Sequence, residues 1–233
     1  MPIFFQQNID QCTRLAVWKI EEPESFFSGK VPLQRTITHP HKRLQHLAGR
    51  FLLKELFSDF PIDLIQIADT RKPFLKNEAY HFSISHCGDY AAVIASKDNR
   101  VGIDLEIVSE KVERIRHKFI SEREEALFLK APASAMMQQA AVSIEPDHND
   151  QEIHLPSLQQ PRELSTLVWS CKEAVFKWYG LGGVDFREHI EIRCISVGED
   201  SVETIIEFKK NEALFLDLTS RFLGGVCLSY VVT

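Results

Sequence analysis

Two carboxylates, Asp104 and Glu106, close the run Val101-Gly102-Ile103-Asp104-Leu105-Glu106. In an extended strand alternate side chains point to the same side, so these two share one face and Ile103, Leu105 and Ile107 take the other as core. Like charges side by side repel unless a cation stands between them, and hard oxygen donors of this kind suit Mg2+. The same pattern also fits a strand whose polar edge simply faces water. A second equipped run is Trp169-Ser170-Cys171-Lys172-Glu173-Ala174-Val175-Phe176-Lys177. On a helix turning about 100° per residue, Leu167, Cys171, Ala174, Val175 and Trp178 form an apolar face. Trp169, Glu173, Phe176 and Lys177 lie opposite. A face meant only for water rarely carries two large aromatics, so the helix is expected to be covered on both sides, with Glu173 and Lys177 held among aromatics. The plainer reading is an ordinary i, i+4 ion pair. A third group is Ser85 and His86 with Gly88 just beyond: hydroxyl, imidazole and a glycine permitting close backbone approach, suited to phosphate or merely to an exposed turn.

The elements that must carry these residues follow from periodicity. An alternating piece around Leu15-Ala16-Val17-Trp18 reads as a strand, followed by an irregular stretch punctuated by Pro23, Gly29, Pro32 and Pro40. Leu44, Leu47, Ala48, Phe51, Leu52 and Leu56 recur at helical spacing, predicting a helix over 41–58. Arg43, His46, Arg50 and Lys54 gather beside that stripe, as a solvated basic face or as a seat for an anion. Tyr80, Phe82 and Ile84 alternate with His81, Ser83 and Ser85 in a predicted strand. Cys87-Gly88-Asp89 turns the chain into a second strand, 90–96, and Asp98-Asn99 turns it again toward Val101. That reads as an antiparallel meander ending on the two carboxylates. A helix is predicted over 109–130. From Ala131 to Pro161 periodicity disappears, which reads as a mobile surface insertion. The helix around Trp169 stops at Gly180 and Gly182-Gly183, and strands are predicted at 190–197, 202–208, 214–218 and 226–232. The expected class is α+β: two pseudo-symmetric halves, 1–104 and 105–233, each with helical material on an antiparallel meander and the active site between them.

Composition narrows the function classes. The chain has 233 residues and a formal net charge of −6, with 27 Lys and Arg against 33 Asp and Glu. No global basic field exists to neutralise phosphates, which argues against a nucleic-acid binder. Five widely spaced cysteines show no metal-type spacing and suit a reducing compartment. No secretory pattern opens the chain, and no apolar run approaches the roughly 20 residues of a membrane span. A soluble, cytoplasmic, monomeric protein is the expectation.

Together the motifs resemble those of the 4′-phosphopantetheinyl transferases, of the two-half type that activates surfactin synthetase and similar systems. That family carries Gly-[Ile/Val]-Asp-x-Glu, present as Gly102-Ile103-Asp104-Leu105-Glu106. Its Trp-x-x-Lys-Glu-[Ala/Ser]-x-x-Lys motif is matched by Trp169, Lys172, Glu173, Ala174 and Lys177, and its Phe-x-[Ile/Leu]-Ser-His segment by Phe82 to His86. Lys72-Pro73 and Ala48-Gly49-Arg50 resemble two further family segments. The likeness runs from about residue 40 to 185, departing at the long 131–161 insertion, which bears on carrier preference.

The resemblance implies Mg2+-dependent transfer of phosphopantetheine from coenzyme A to a serine of an apo acyl or peptidyl carrier protein, releasing 3′,5′-ADP. It implies Asp104, Glu106 and Glu173 as metal ligands, Glu173 as general base, and Lys177 as the cation that stabilises or protonates the leaving phosphate. Ser85 and His86 are expected on the coenzyme phosphates, Lys72 and Pro73 on the adenosine side, and Arg35 on the 3′-phosphate. The basic segment Lys111, Arg114, Arg116, Lys118 and Arg123 is the expected docking surface for an acidic carrier. Two other readings stay open: a catalytically weak coenzyme A or carrier-binding module, and a Mg2+-dependent nucleotide pyrophosphate hydrolase.

Overall fold

The computed structural model describes residues 3–33, 36–128 and 160–233. Arg35 and nearly all of the expected 131–161 insertion lie outside them. The chain forms two units, one comprising the residues through Leu105 with Ala174–Gly182 and Val232–Thr233, the other Glu106–Glu173 with Gly183–Val231.

The first unit begins with strands β1 (Ile3–Asn8) and β2 (Thr13–Lys19), then a short helix α1 (Glu24–Ser28) and the long helix α2 (Pro40–Leu56). Pro40 occupies the first turn of α2, where its missing N–H costs nothing. A small hairpin, β3 (Ile65–Ile67) and β4 (Pro73–Leu75), precedes β5 (His81–Cys87), β6 (Tyr90–Ser96) and β7 (Val101–Ile107). Four strands form an antiparallel sheet in the order β1-β2-β6-β5. Helix α2 lies on β2, β5 and β6 and also touches α1. Its Leu47, Leu52 and Leu53 are fully buried, and Phe51 packs edge-on against Trp18, Phe26 and Phe27. Of the basic residues beside the core stripe only Lys54 is exposed, so the four do not form a solvated face. Arg43 pairs with Glu24 at 2.7 Å, while His46 and Arg50 are buried, with Arg50 Nη1 3.1 Å from His46 Nδ1.

The hairpin β5–β6 turns through Gly88 at φ +52°, a conformation that favours glycine. The expected meander ends there. Strand β7 does not join this sheet; it meets the polar face of β5, where Ser83 Oγ accepts from Ile103 N–H (3.3 Å) and Ser85 Oγ from Leu105 N–H (3.2 Å). Serine hydroxyls thus satisfy backbone donors in place of a ladder, and the face that sequence alternation would leave wet is buried.

The second unit carries α3 (Glu110–Arg114), a 3-10 turn at Arg116–Lys118, α4 (Glu122–Phe128) and α5 (Pro161–Tyr179) as far as Glu173. The predicted single helix over 109–130 is therefore broken. Its last part starts afresh at a capping box in which Glu124 N–H donates to Ser121 Oγ and Ser121 N–H to the Glu124 carboxylate (3.3 and 2.8 Å). Strands β8 (Ile190–Val197), β9 (Val202–Phe208), β10 (Leu214–Leu223) and β11 (Val226–Val232) follow, antiparallel in the order β11-β10-β9-β8. Strand β10 runs five residues past the predicted Leu218 because Ser220, though polar, sits on the buried face and bonds Ser229 at 2.8 Å. The protein is α+β, with antiparallel sheets and few helices. Among the described residues no helix is long and apolar enough to cross a membrane.

Candidate active site

Gly102 explains how the first unit brings its charged groups together. A Cβ at this position would lie 2.2 Å from the Ala174 carbonyl oxygen and 2.7 Å from Trp178 Cβ. Only glycine lets the last turns of α5 press this closely on β7. Lys177, on those turns, then reaches Asp104: its Nζ stands 2.5 Å from Oδ1 and 2.8 Å from Ser85 Oγ. Ser85 in turn donates to the same Oδ1 at 2.9 Å. Asp104 is 3% exposed and its second oxygen, Oδ2, is buried with no hydrogen-bond partner among the described residues. A buried carboxylate oxygen left this way costs desolvation free energy unless a cation or water meets it.

The end of α5 is itself clamped. Arg100 donates through Nε to the Trp178 carbonyl (2.9 Å) and through Nη2 to that of Tyr179, with its guanidinium over the Trp178 ring. Lys72 Nζ also reaches the Trp178 carbonyl (3.2 Å), and Thr70 donates to that of Gly180 (2.9 Å). Cations at the negative end of a helix are favourable. Burial, with Arg100 adding repulsion, pushes the Lys72 ammonium down to about 8. Lys72 and Pro73 wall a cavity of about 200 Å3 together with Ser83, Ile84, Phe176 and Lys177. An adjoining cleft of about 500 Å3 shares Lys72, Pro73, Phe82 and Gly180 and extends to Arg100 and Tyr179. His86 counts among the exposed side chains, yet neighbouring atoms crowd it; partial desolvation, with Lys177 and Lys42 nearby, holds its imidazole below the usual value.

In the second unit Glu106 is half-buried and accepts from Trp169 Nε1 at 3.2 Å. Along α5, Trp169, Glu173, Phe176 and Lys177 are each half-buried among neighbours that are mostly fully buried, as the aromatic company on that face predicted. Ile107, read as core, is 39% exposed, since β7 runs out of cover at its end. Among the described residues no group of three or more His, Cys, Asp or Glu side chains is arranged to hold a metal ion. Within the first unit the structure therefore assembles Asp104, Lys177 and Ser85, with Lys72 and Pro73 on the cavity that Lys177 also lines. Of the expected docking residues, Arg116 is engaged with Glu113 and Glu125 and Arg123 with Glu191, while Lys111, Arg114 and Lys118 are exposed.

The sequence motif over this region decides the affiliation: residues 100–231 match the model of the 4′-phosphopantetheinyl transferase superfamily. The chain belongs to that superfamily. A 70-residue stretch is also 36% identical to the L-aminoadipate-semialdehyde dehydrogenase-phosphopantetheinyl transferase of Xenopus laevis, spanning 25% of this chain and 23% of that one. As a superfamily member the chain shows two features that the motif letters alone do not explain. Arg100, just ahead of the Gly-Ile-Asp run, holds the end of α5. Lys172, within the Trp-x-x-Lys-Glu motif, is fully buried against Glu124. The Ser121-x-x-Glu124 spacing was the available signal for the second feature; Arg100 had none.

Proposed function

We propose that the chain transfers the 4′-phosphopantetheine group of coenzyme A to a serine of an apo acyl or peptidyl carrier protein, releasing 3′,5′-ADP, with Mg2+ required. The observation that carries this reading is the buried Asp104, one oxygen held by Lys177 and Ser85 and the other without a partner among the described residues, in a chain of this superfamily.

Asp104 Oδ2 fits a hard cation, and Mg2+ is commonly held by one or two carboxylates together with substrate phosphates. Asp104, Glu106 and Glu173 would hold it, and when bound it would neutralise pyrophosphate charge. The chain's own groups supply the rest. Glu173 takes the proton of the carrier serine as its oxygen bonds to the phosphorus bearing the pantetheine arm. The bond from that phosphorus to the bridging oxygen breaks, and the electron pair leaves on 3′,5′-ADP. Lys177 offers its ammonium to the charge that develops there. Lys72 and Pro73 wall the space for the coenzyme's nucleotide side, and a neutral His86 can donate one ring N–H to a phosphate oxygen.

The test is to incubate the protein with coenzyme A, Mg2+ and a panel of apo-carriers and weigh the carriers. A carrier heavier by the phosphopantetheine arm, abolished by EDTA and by Asp104→Ala, is the expected result. Coenzyme A cleaved with every carrier unchanged in mass would make the protein a pyrophosphate hydrolase instead. Coenzyme A left intact would make it a binding module.

A further inference from the structure

Two residues of the Trp-x-x-Lys-Glu motif have no assigned part in this chemistry, and both are tied into one arrangement inside the second unit. Lys172 is fully buried and spends its three donors on three acceptors: the Phe119 carbonyl (2.7 Å), the Glu124 carboxylate (2.8 Å) and the Phe186 carbonyl (2.9 Å). Glu124 also accepts the backbone N–H groups of Ser121 and Ile192, each at 2.8 Å. Burial lowers the Lys172 ammonium from its usual range, and Glu124, with Glu191 and Asp185, offsets part of that. Phe119 and Phe186, whose carbonyls Lys172 grips, also set their rings against Trp169, at centroid distances of 5.0 and 5.5 Å. The indole N–H, a donor only, then points to Glu106 Oε1 at 3.2 Å.

We infer that Trp169 and Lys172 are positioning residues for Glu106: the buried Lys172–Glu124 pair fixes the backbones of Phe119 and Phe186, their rings fix the Trp169 indole, and the indole orients the Glu106 carboxylate toward a divalent cation. The inference rests on the reading of Glu106 as a metal ligand. A ligand carboxylate held by an outer hydrogen bond loses orientation when that bond is removed, and such losses commonly weaken metal binding about 10–100-fold. Phenylalanine at position 169 keeps a smaller aromatic ring beside Phe119 and Phe186 and removes the donor, and the melting midpoint reads the packing that is lost with it.

The experiment measures Mn2+ binding, as a paramagnetic stand-in for Mg2+, by electron paramagnetic resonance on the full chain with coenzyme A present and no carrier. Trp169→Phe is expected to raise the Mn2+ dissociation constant about 10-fold with a melting midpoint near wild type, and excess Mg2+ should restore transfer. Lys172→Met should weaken Mn2+ binding as well, and its effect should be non-additive with Trp169→Phe although the two side chains do not share a hydrogen bond. Lys172→Met leaves Glu124 as an unpaired buried charge; if it does not fold, Trp169→Phe alone decides. Unchanged Mn2+ affinity in Trp169→Phe would overturn the relay while leaving the metal reading intact. A wild-type protein that binds no Mn2+ would overturn both, and additive losses would remove Lys172 from the relay.

Discussion

Replacing Gly102 with alanine adds one methyl group where the structure has no space. The new Cβ would stand 2.2 Å from the Ala174 carbonyl oxygen, 2.7 Å from Trp178 Cβ and 2.8 Å from Trp178 N, against 3.4–4 Å for ordinary contact. Two of these three atoms are backbone, so no rotamer change relieves the clash, and the end of α5 must retreat from β7 by roughly 1 Å in a close-packed interior. Overpacking of this kind costs about 1–3 kcal/mol, which for a chain of this size lowers the melting midpoint by about 5 °C. The larger effect is on activity. Lys177 rides on the displaced turns and loses its 2.5 Å contact with Asp104, and a misplacement near 1 Å can cost about 100-fold in rate. Thermal melts and transfer kinetics, the latter well below the melting midpoint, separate the two effects. A Gly102→Ala protein that melts like wild type and keeps its kcat/KM would refute the argument from close approach.

Other outcomes follow from the same geometry. Folded Lys72 releases its proton near pH 8 and the unfolded side chain near 10.5, so between those values the unfolded chain binds more protons and stability rises with pH. Lys72→Met should erase that rise in melts taken across pH 8–10. Coenzyme A affinity in the wild type, followed by calorimetry, should fall as pH climbs through 8, and Lys72→Arg should flatten the fall. Glu173→Gln should lower turnover by about 100-fold or more, and a loss within a factor of two would demote Glu173 to an ion-pair residue. Reversing the exposed Arg114 and Lys118 to Glu should raise the carrier KM, flatten its salt dependence and leave the coenzyme A KM alone; an unaltered carrier KM would move docking elsewhere.

Periodicity located α2, the β5–β6 hairpin and most of β8 to β11 from the apolar residues that recur in each. It failed where burial is polar. Ser83 and Ser85 look like a wet face in sequence, yet they are buried and receive backbone donors of β7, which lies outside the β1-β2-β6-β5 sheet. Ser220 shortened the predicted β10 for the same reason. His46 and Arg50 carry a charge pattern that reads as solvent-facing, yet both are buried. In the site, Asp104 and Lys177 were legible from motif spacing. Their direct pairing and the glycine that permits it were not, since close approach depends on a helix more than 70 residues away in sequence.

The first unit also sets a timetable for the nascent chain. Lys177 is made 73 residues after Asp104, about 4–15 s later at ordinary ribosomal rates. Arg100 waits still longer for Thr233, with which it exchanges both backbone hydrogen bonds. Until Lys177 is made Asp104 lacks its cation and Gly102 lacks the helix that covers it, while the first stretch of the second unit, Glu106–Glu173, is being synthesised. The site thus cannot assemble before Lys177 is made, and no single cut of the chain separates one finished unit from the other.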